Sequence, residues 1–210
     1  MANELATPRD GVQHLRTRKH THNAAVAANE IIVVNGDILI AVSAALANVE
    51  NVYIYRGRAS FPKTTGASSA IADGKECFWD ATNGVATESK GMSAADAVAD
   101  GGNTGNGTVT GEAVGANAVA ESWTLLCIAA AANGGTFSVI GSKSGRMADA
   151  EVGVAYANGF VAFTINDGAT DFVVGDKFTL AVTQANSKIG KSAEPTTDDD
   201  DEVMVMLNEN

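Results

Sequence analysis

The side chains best suited to chemistry lie near the two ends of this sequence. Toward the start, His14, His20 and His22 stand in a basic stretch with Arg9, Arg16, Arg18 and Lys19. A His-x-His pair holds zinc when further nitrogen or sulfur donors complete a tetrahedron. Lys19 and Thr21 flank His20, and no Cys pair is nearby, so a polar strand or arm is expected and no metal. Toward the end runs Asp198-Asp199-Asp200-Asp201. A calcium loop separates its oxygen ligands with spacer residues and a turning Gly. Four consecutive Asp lack that spacing, which predicts a solvated acidic turn. Gly141-Ser142-Lys143-Ser144-Gly145-Arg146 is superficially similar to a phosphate loop, yet it lacks Gly-Lys-[Ser/Thr] after four spacers. With the three histidines read as part of a solvent-facing strand or arm, no positioned base stands outside the carboxylates, so no catalytic residue and no cofactor are expected, and the chain reads as a non-enzyme.

The remaining reactive or aromatic groups sit inside apolar runs. Cys77 lies in Glu76-Cys77-Phe78-Trp79, and Cys127 in Leu125-Leu126-Cys127-Ile128, the setting of two buried free thiols. Trp79, Trp123 and Phe61 are strand members and read as interface or core anchors rather than as a sugar platform.

Charge is unevenly spread. The net charge is −11, from 14 basic and 25 acidic residues, yet residues 1–22 carry four basic against two acidic ones. Residues 192–210 carry seven acidic residues and no basic one. Such a chain lacks the basic surface that neutralises phosphates, so no nucleic-acid partner is expected. No apolar run approaches the roughly 20 residues of a membrane span, and no signal-peptide pattern opens the sequence, so a soluble protein made in a cytoplasm is expected, with no membrane partner.

The elements that would position these groups are strands. Ile31–Val34 and Ile38–Val42 flank Asn35-Gly36, a strong hairpin signal between β-branched runs. Alternation from Val52 runs toward Phe61-Pro62-Lys63, and residues 64–75 read as a loop. Further strands are expected at Glu76–Trp79, Val85–Thr87, Trp123–Ile128, Thr136–Ile140, Val152–Tyr156, Phe160–Ile165, Lys177–Val182 and Val203–Leu207. Gly101–Gly107, with four Gly and two Asn, reads as the most flexible stretch, and a domain junction is expected near it. The fold class expected is all-β.

Residues 51–63 and 71–85, with Tyr55-Arg56-Gly57, Phe61-Pro62-Lys63 and Phe78-Trp79-Asp80-Ala81-Thr82, resemble the capsid cement family of tailed phages. The similarity extends to residues 36–42, to Ile189-Gly190-Lys191-Ser192-Ala193 and to the closing Val203–Asn208. Residues from about Glu121 to Val182 depart from that pattern. Their Leu125-Leu126-Cys127-Ile128, Asn133-Gly134-Gly135 and Asp167–Asp176 are similar to a module of lambda-type head decoration proteins.

The resemblance implies a small β-barrel or β-tulip-like lobe over 25–120 and 186–210 with a lobe inserted over 121–185, whose short, regularly spaced strands read as a β-sandwich, while alternation and charge make 1–24 an extended basic arm or edge strand. It implies a homotrimer on the outside of the virion, bound to the major capsid protein at three-fold and quasi-three-fold positions and in reach of neighbouring trimers. Its role would be to hold the expanded, DNA-filled head. The expected capsid contact is Arg9, Arg16, Arg18 and Lys19, the local positive surplus of an acidic protein. The rival reading is a virion-surface receptor or carbohydrate-binding module, which would need Trp123, Tyr156 and Phe160 exposed as a cluster.

Overall fold

The computed structural model describes residues 7–8 and 15–208. Among the described residues the chain is all-β, with 54% of them in strands and bridges and no helix. It divides into two compact units, residues 1–91 with 186–210, and residues 92–185.

The first unit contains β1 (Thr7–Pro8), β2 (Arg16–Thr21), β3 (Ile31–Val34), β4 (Asp37–Ala41), β5 (Glu50–Pro62), β6 (Glu76–Asp80) and β7 (Val85–Thr87). The second follows with β8 (Met92–Ala94), β9 (Val98–Ala99), β10 (Thr108–Val114), β11 (Glu121–Ala131), β12 (Gly134–Gly141) and β13 (Gly145–Arg146). It continues through β14 (Ala150–Glu151), β15 (Ala155–Ala157), β16 (Val161–Asn166) and β17 (Lys177–Gln184). The chain then returns to the first unit with β18 (Ser187–Ser192) and β19 (Glu202–Leu207).

The first unit is one nine-stranded sheet, in the order β3-β4-β5-β19-β18-β6-β7, curled into a half-barrel. Its hairpin β3–β4 turns on Asn35 and Gly36, both at positive φ (53° and 87°), as a two-residue turn matched to strand twist requires. The thirteen residues of β5 serve both halves of the curl: residues 50–56 pair with β2 and residues 57–62 with β19, while β1 pairs at Ala59 and Ser60. Ile38, Ile40, Ile54, Phe61, Trp79, Ile189, Val203, Val205 and Leu207 fill the concave core. A smaller cluster of Val26, Ile32, Leu39, Ala41 and Tyr53 covers the opposite face of β3–β5. Burying each large side chain contributes about 1.5–3 kcal/mol, so the alternation that sends Ile38 and Leu39 to opposite faces fixes the register.

The second unit is a two-layer sandwich. A seven-stranded sheet built on β13-β12-β11-β17-β8 faces a three-stranded sheet β10-β16-β15. Strict alternation sends Trp123, Leu125 and Cys127 of β11, Val161, Phe163 and Ile165 of β16, and Phe178, Leu180 and Val182 of β17 into one core.

The second unit begins at Met92 and not at Glu121. Hydrogen bonding decides this: β8 and β9 pair with β17, Ala94 opposite Val182 and Ala99 opposite Phe178, and β10 pairs with β16. Those strands carry little bulk, so the sequence from 92 to 120 lacks the apolar alternation that marks a strand.

The Gly101–Gly107 stretch corrects a second expectation, because it is packed and not a loose junction. Thr104 and Gly105 donate their N–H groups to the Asp176 carboxylate at 2.8 and 2.9 Å, and Asn103 exchanges two hydrogen bonds with the Lys177 backbone. Gly105 and Gly107 lie against Phe172, whose ring meets Phe137 and Phe178 edge-on at 5.0 and 5.9 Å. A Cβ on Gly107 would collide with the Phe172 ring and with the Asn166 carbonyl oxygen. Glycine here permits close approach, the opposite of slack.

Asp176 is 3% exposed. Burial pushes its carboxyl up, but the N–H groups of Thr104, Val173 and Gly105 outweigh that and hold it below the ordinary range. A lowered carboxyl stabilises the fold above its unfolded-state value and loses that contribution as pH falls through its folded value.

Two outcomes follow from this packing. Gly107→Ala should cost about 2 kcal/mol in urea unfolding, whereas Gly101→Ala, with open space around its Cα, should stay within about 0.5 kcal/mol. Asp176→Ala should cost about 3 kcal/mol at pH 7 by leaving buried N–H groups unpaired, and the gap to the parent protein should narrow in acid below about pH 4; a gap that widens in acid would contradict the assigned role.

Candidate partner-binding surface

The basic stretch forms an edge strand. β2 pairs antiparallel with β5 and, among the described residues, with no other strand, so its outer edge is open. Arg16, Arg18 and His20 point to one face of β2, and Thr17, Lys19 and Thr21 to the other. Arg9 and His14 lie outside the described residues. The three described cations therefore do not form one patch.

Their environments differ. Arg16 is exposed. Arg18 is half-buried, 5.9 Å from the centroid of the Tyr55 ring, and its guanidinium donates to Asp37 at 3.1 Å. Lys19 is exposed and donates to Glu50 at 2.8 Å, a hydrogen bond and charge pairing that raise its pKa. Local carboxylates thus partly neutralise the surplus that the sequence displays. His20 packs edge-on against Tyr53 at 5.9 Å, and His22 Nδ1 lies 3.2 Å from the Ala24 carbonyl. Among the described residues no three His, Cys, Asp or Glu side chains gather to hold a metal ion.

The sheet brings Arg18 to residues that the sequence does not group with it. A cleft of about 380 Å³ is lined by Arg18, Gly36, Asp37, Tyr55, Arg56, Lys188 and Asn208. β2 supplies Arg18, β5 supplies Tyr55 and Arg56, and β18 supplies Lys188. Asn208 Nδ2 donates to the carbonyls of Ile38 and Tyr55 at 2.9 and 2.6 Å, which ties the end of β19 to β4 and β5. Lys188 donates to Glu76 at 2.7 Å, and that bond lowers the Glu76 pKa. Arg56 is exposed. Arg56 was visible in the sequence as part of an alternating strand, but nothing in the spacing points to Lys188, which reaches the cleft only through sheet pairing.

Phe61, Trp79 and Trp123 are core anchors and not interface ones: Phe61 and Trp123 are fully buried and Trp79 is 6% exposed. Phe61 and Trp79 meet at 6.1 Å, and Trp123 packs on Phe160 at 6.0 Å. Tyr156 stacks on Phe163 at 4.8 Å and donates to the Ala148 carbonyl at 2.8 Å. Trp123 is buried, whereas Tyr156 and Phe160 are half-buried against the same core, so the three do not stand together as an exposed platform of the kind sugar binding would use. Cys77 and Cys127 are buried free thiols; burial pushes Cys77 up to about 11, and Cys127 upward as well.

Two loops with binding-like sequences serve the fold itself. The backbone N–H groups of Lys143 and Ser144 and the Ser144 hydroxyl all donate to the carboxylate of Glu121, at 2.7, 3.0 and 2.5 Å. The phosphate-like loop is therefore an anion cradle already filled by a buried carboxylate of the same chain. In the acidic run, Asp198 accepts from the Ala70 N–H at 2.8 Å, and Asp200 accepts from the Thr197 N–H and hydroxyl at 2.6 and 3.0 Å. Those bonds lower both carboxyls. Asp199 and Asp201 remain exposed.

No protein-family model matches this chain. A search of curated proteins likewise finds no match. Among solved structures, two crystal forms of Xanthomonas campestris FlgL are similar, each at 17% identity and a TM-score of 0.35. The matches cover 76% of this chain and 45% of FlgL, so the chain spans under half the length of that protein. A likeness at this TM-score carries no argument about fold or function.

Proposed function

We propose that this protein is a head decoration, or cement, protein of a tailed bacteriophage. On this reading it binds the outer face of the major capsid protein lattice as a homotrimer, at three-fold and quasi-three-fold positions, and stabilises the expanded DNA-filled head. The observation that carries the reading is where the cement-like residues fall. Residues 51–63 and 71–85, with Ile189–Ala193 and the closing strand, form β5, β6, β7, β18 and β19, which are contiguous in one sheet. Motifs scattered along the chain thus make up a single structural unit.

The energetics suit a clasp. A contact of Kd about 1 μM is worth about −8 kcal/mol. Three such contacts in one trimer gain further through effective concentration, without any exceptional site. Among the described residues the outer edge of β2 has no partner strand, which leaves main-chain groups for strand addition, with Arg16 and Lys19 beside them to favour an acidic neighbour. The capsid contact assigned here is that edge.

Deleting residues 1–22 is a poor test, because it removes β2 and strips β5 of a partner strand. Reversing Arg16 and Lys19 to Glu keeps the strand. The double variant should keep the urea midpoint of the parent protein, since exposed charges contribute little stability. Its occupancy on purified, undecorated heads, counted at three-fold positions by electron cryomicroscopy, should fall about tenfold or more. Full occupancy would remove β2 as the contact, and density for the parent protein anywhere but on the head surface would remove the reading itself.

A further inference from the structure

We propose that the cleft of Arg18, Arg56 and Lys188 receives the acidic turn of a second copy of this chain, through Asp199 and Asp201, so that copies join head to tail. Arg18 and Lys188 each engage a carboxylate of their own unit, Asp37 and Glu76. Arg56 is exposed, lines the same cleft, and makes no ion pair or hydrogen bond among the described residues. A guanidinium fork with open donors beside two further cations is suited to a carboxylate, which it can hold through two parallel hydrogen bonds.

The same unit supplies the matching group. Asp198 and Asp200 are occupied in shaping the turn, but the side chains of Asp199 and Asp201 are exposed and engage no partner among the described residues. Two carboxylates are thus held outward by a turn whose shape is set by their neighbours.

Sheet register shows why the partner must be another molecule. β19 starts at Glu202 opposite Pro62 and ends at Leu207 opposite Gly57. The acidic turn lies just before the first end, and the cleft residues Arg56 and Asn208 lie at the second. At about 3.4 Å per residue the ladder separates them by about 17 Å. A rigid strand between them prevents the turn from folding back into its own cleft. A contact joining unlike patches is heterologous, and closes into a ring or grows as a filament. The contact itself stands on this geometry; only a ring of three rests on the proposed function.

Sedimentation of the full chain tests it. The parent protein should self-associate at about 0.05 M salt and dissociate toward monomer at about 1 M, where the Debye length shrinks to about 3 Å. Arg56→Glu, and separately Asp199→Lys with Asp201→Lys, should each weaken association about tenfold or more, with thermal midpoints unchanged. Combining all three substitutions should restore association, because the charges are then exchanged across the same contact. A parent protein that stays monomeric, an Arg56→Glu variant that associates normally, or a triple variant that stays apart would each overturn the proposal. The decoration reading is scored separately on heads. Normal occupancy by an Arg56→Glu variant that also associates normally sinks this contact alone, whereas charge-dependent association without head binding supports the contact and sinks the decoration reading.

Discussion

The first unit depends on the register of β5. On one edge it pairs with β1 and β2, on the other with β4 and β19, so four strands take their positions from it. Its alternation sends Tyr53 to one face and Ile54 to the other, and these belong to separate hydrophobic clusters. A slip by one residue would drive Tyr53 into the core lined by Ile38 and Ile40, and would turn Ile54 toward the smaller cluster. The same strand brings Tyr55 and Arg56 to the cleft, and the Tyr55 carbonyl accepts from Asn208. Core register and surface chemistry are therefore set by one element.

The carboxylates divide into two kinds of work. Arg18–Asp37, Lys19–Glu50, Arg146–Asp149, Lys177–Asp100 and Lys188–Glu76 are solvent-screened surface pairs that add little stability, and their effect is to orient long side chains. Glu121 and Asp176 are different, because each is buried and accepts from several N–H groups of an irregular loop. Backbone donors in a loop lack the ladder partners of a strand, and an unmet buried donor costs about 1–3 kcal/mol. One carboxylate at the end of a regular strand therefore fixes a whole loop. The second unit uses this device twice, at residues 143–144 and at 104–105.

Much of the fold was legible in the sequence where side chains are bulky and a turn signal is present. Asn35-Gly36 between two β-branched runs specified β3 and β4, and the alternation of Trp123, Leu125 and Cys127 specified β11. What escaped was decided by partners distant in the chain. β8, β9 and β10 contain Met92, Val98, Val109 and Val114 among Ser, Thr, Ala, Gly and Glu, and become strands because β17 and β16 offer them ladders. The Gly101–Gly107 stretch has the composition of a linker, yet its small residues are required by the Phe172 ring that covers them. At the surface, Arg16, Arg18 and Lys19 were visible as cations, but the carboxylates that meet Arg18 and Lys19 and the union of Arg18 with Lys188 depend on pairing across the sheet. Composition reports which charges exist, and register decides which of them remain available.

The place where the second unit joins the first shows how a unit of this size fits into a continuous sheet. The chain leaves the first unit after β7 and returns at Asn186, directly before β18, and β6 pairs with both of those strands. Asn186 seals the crossing: its N–H donates to the Lys90 carbonyl at 3.2 Å and its side chain donates to the Ser89 carbonyl at 2.9 Å. Gly91 lies against the Asn186 amide with φ at 62°, where a Cβ would be both strained and crowded. The departing and returning strands are thus neighbours on β6 before any of the intervening chain is counted. The entropy cost of closing a loop grows only with the logarithm of its length. Once the ends are clamped at Ser89, Lys90 and Asn186, a long excursion therefore costs the first sheet little more than a short one. The excursion can fold around its own core, with Trp123 and Phe137 buried at its centre, while β18 keeps its place between β6 and β19.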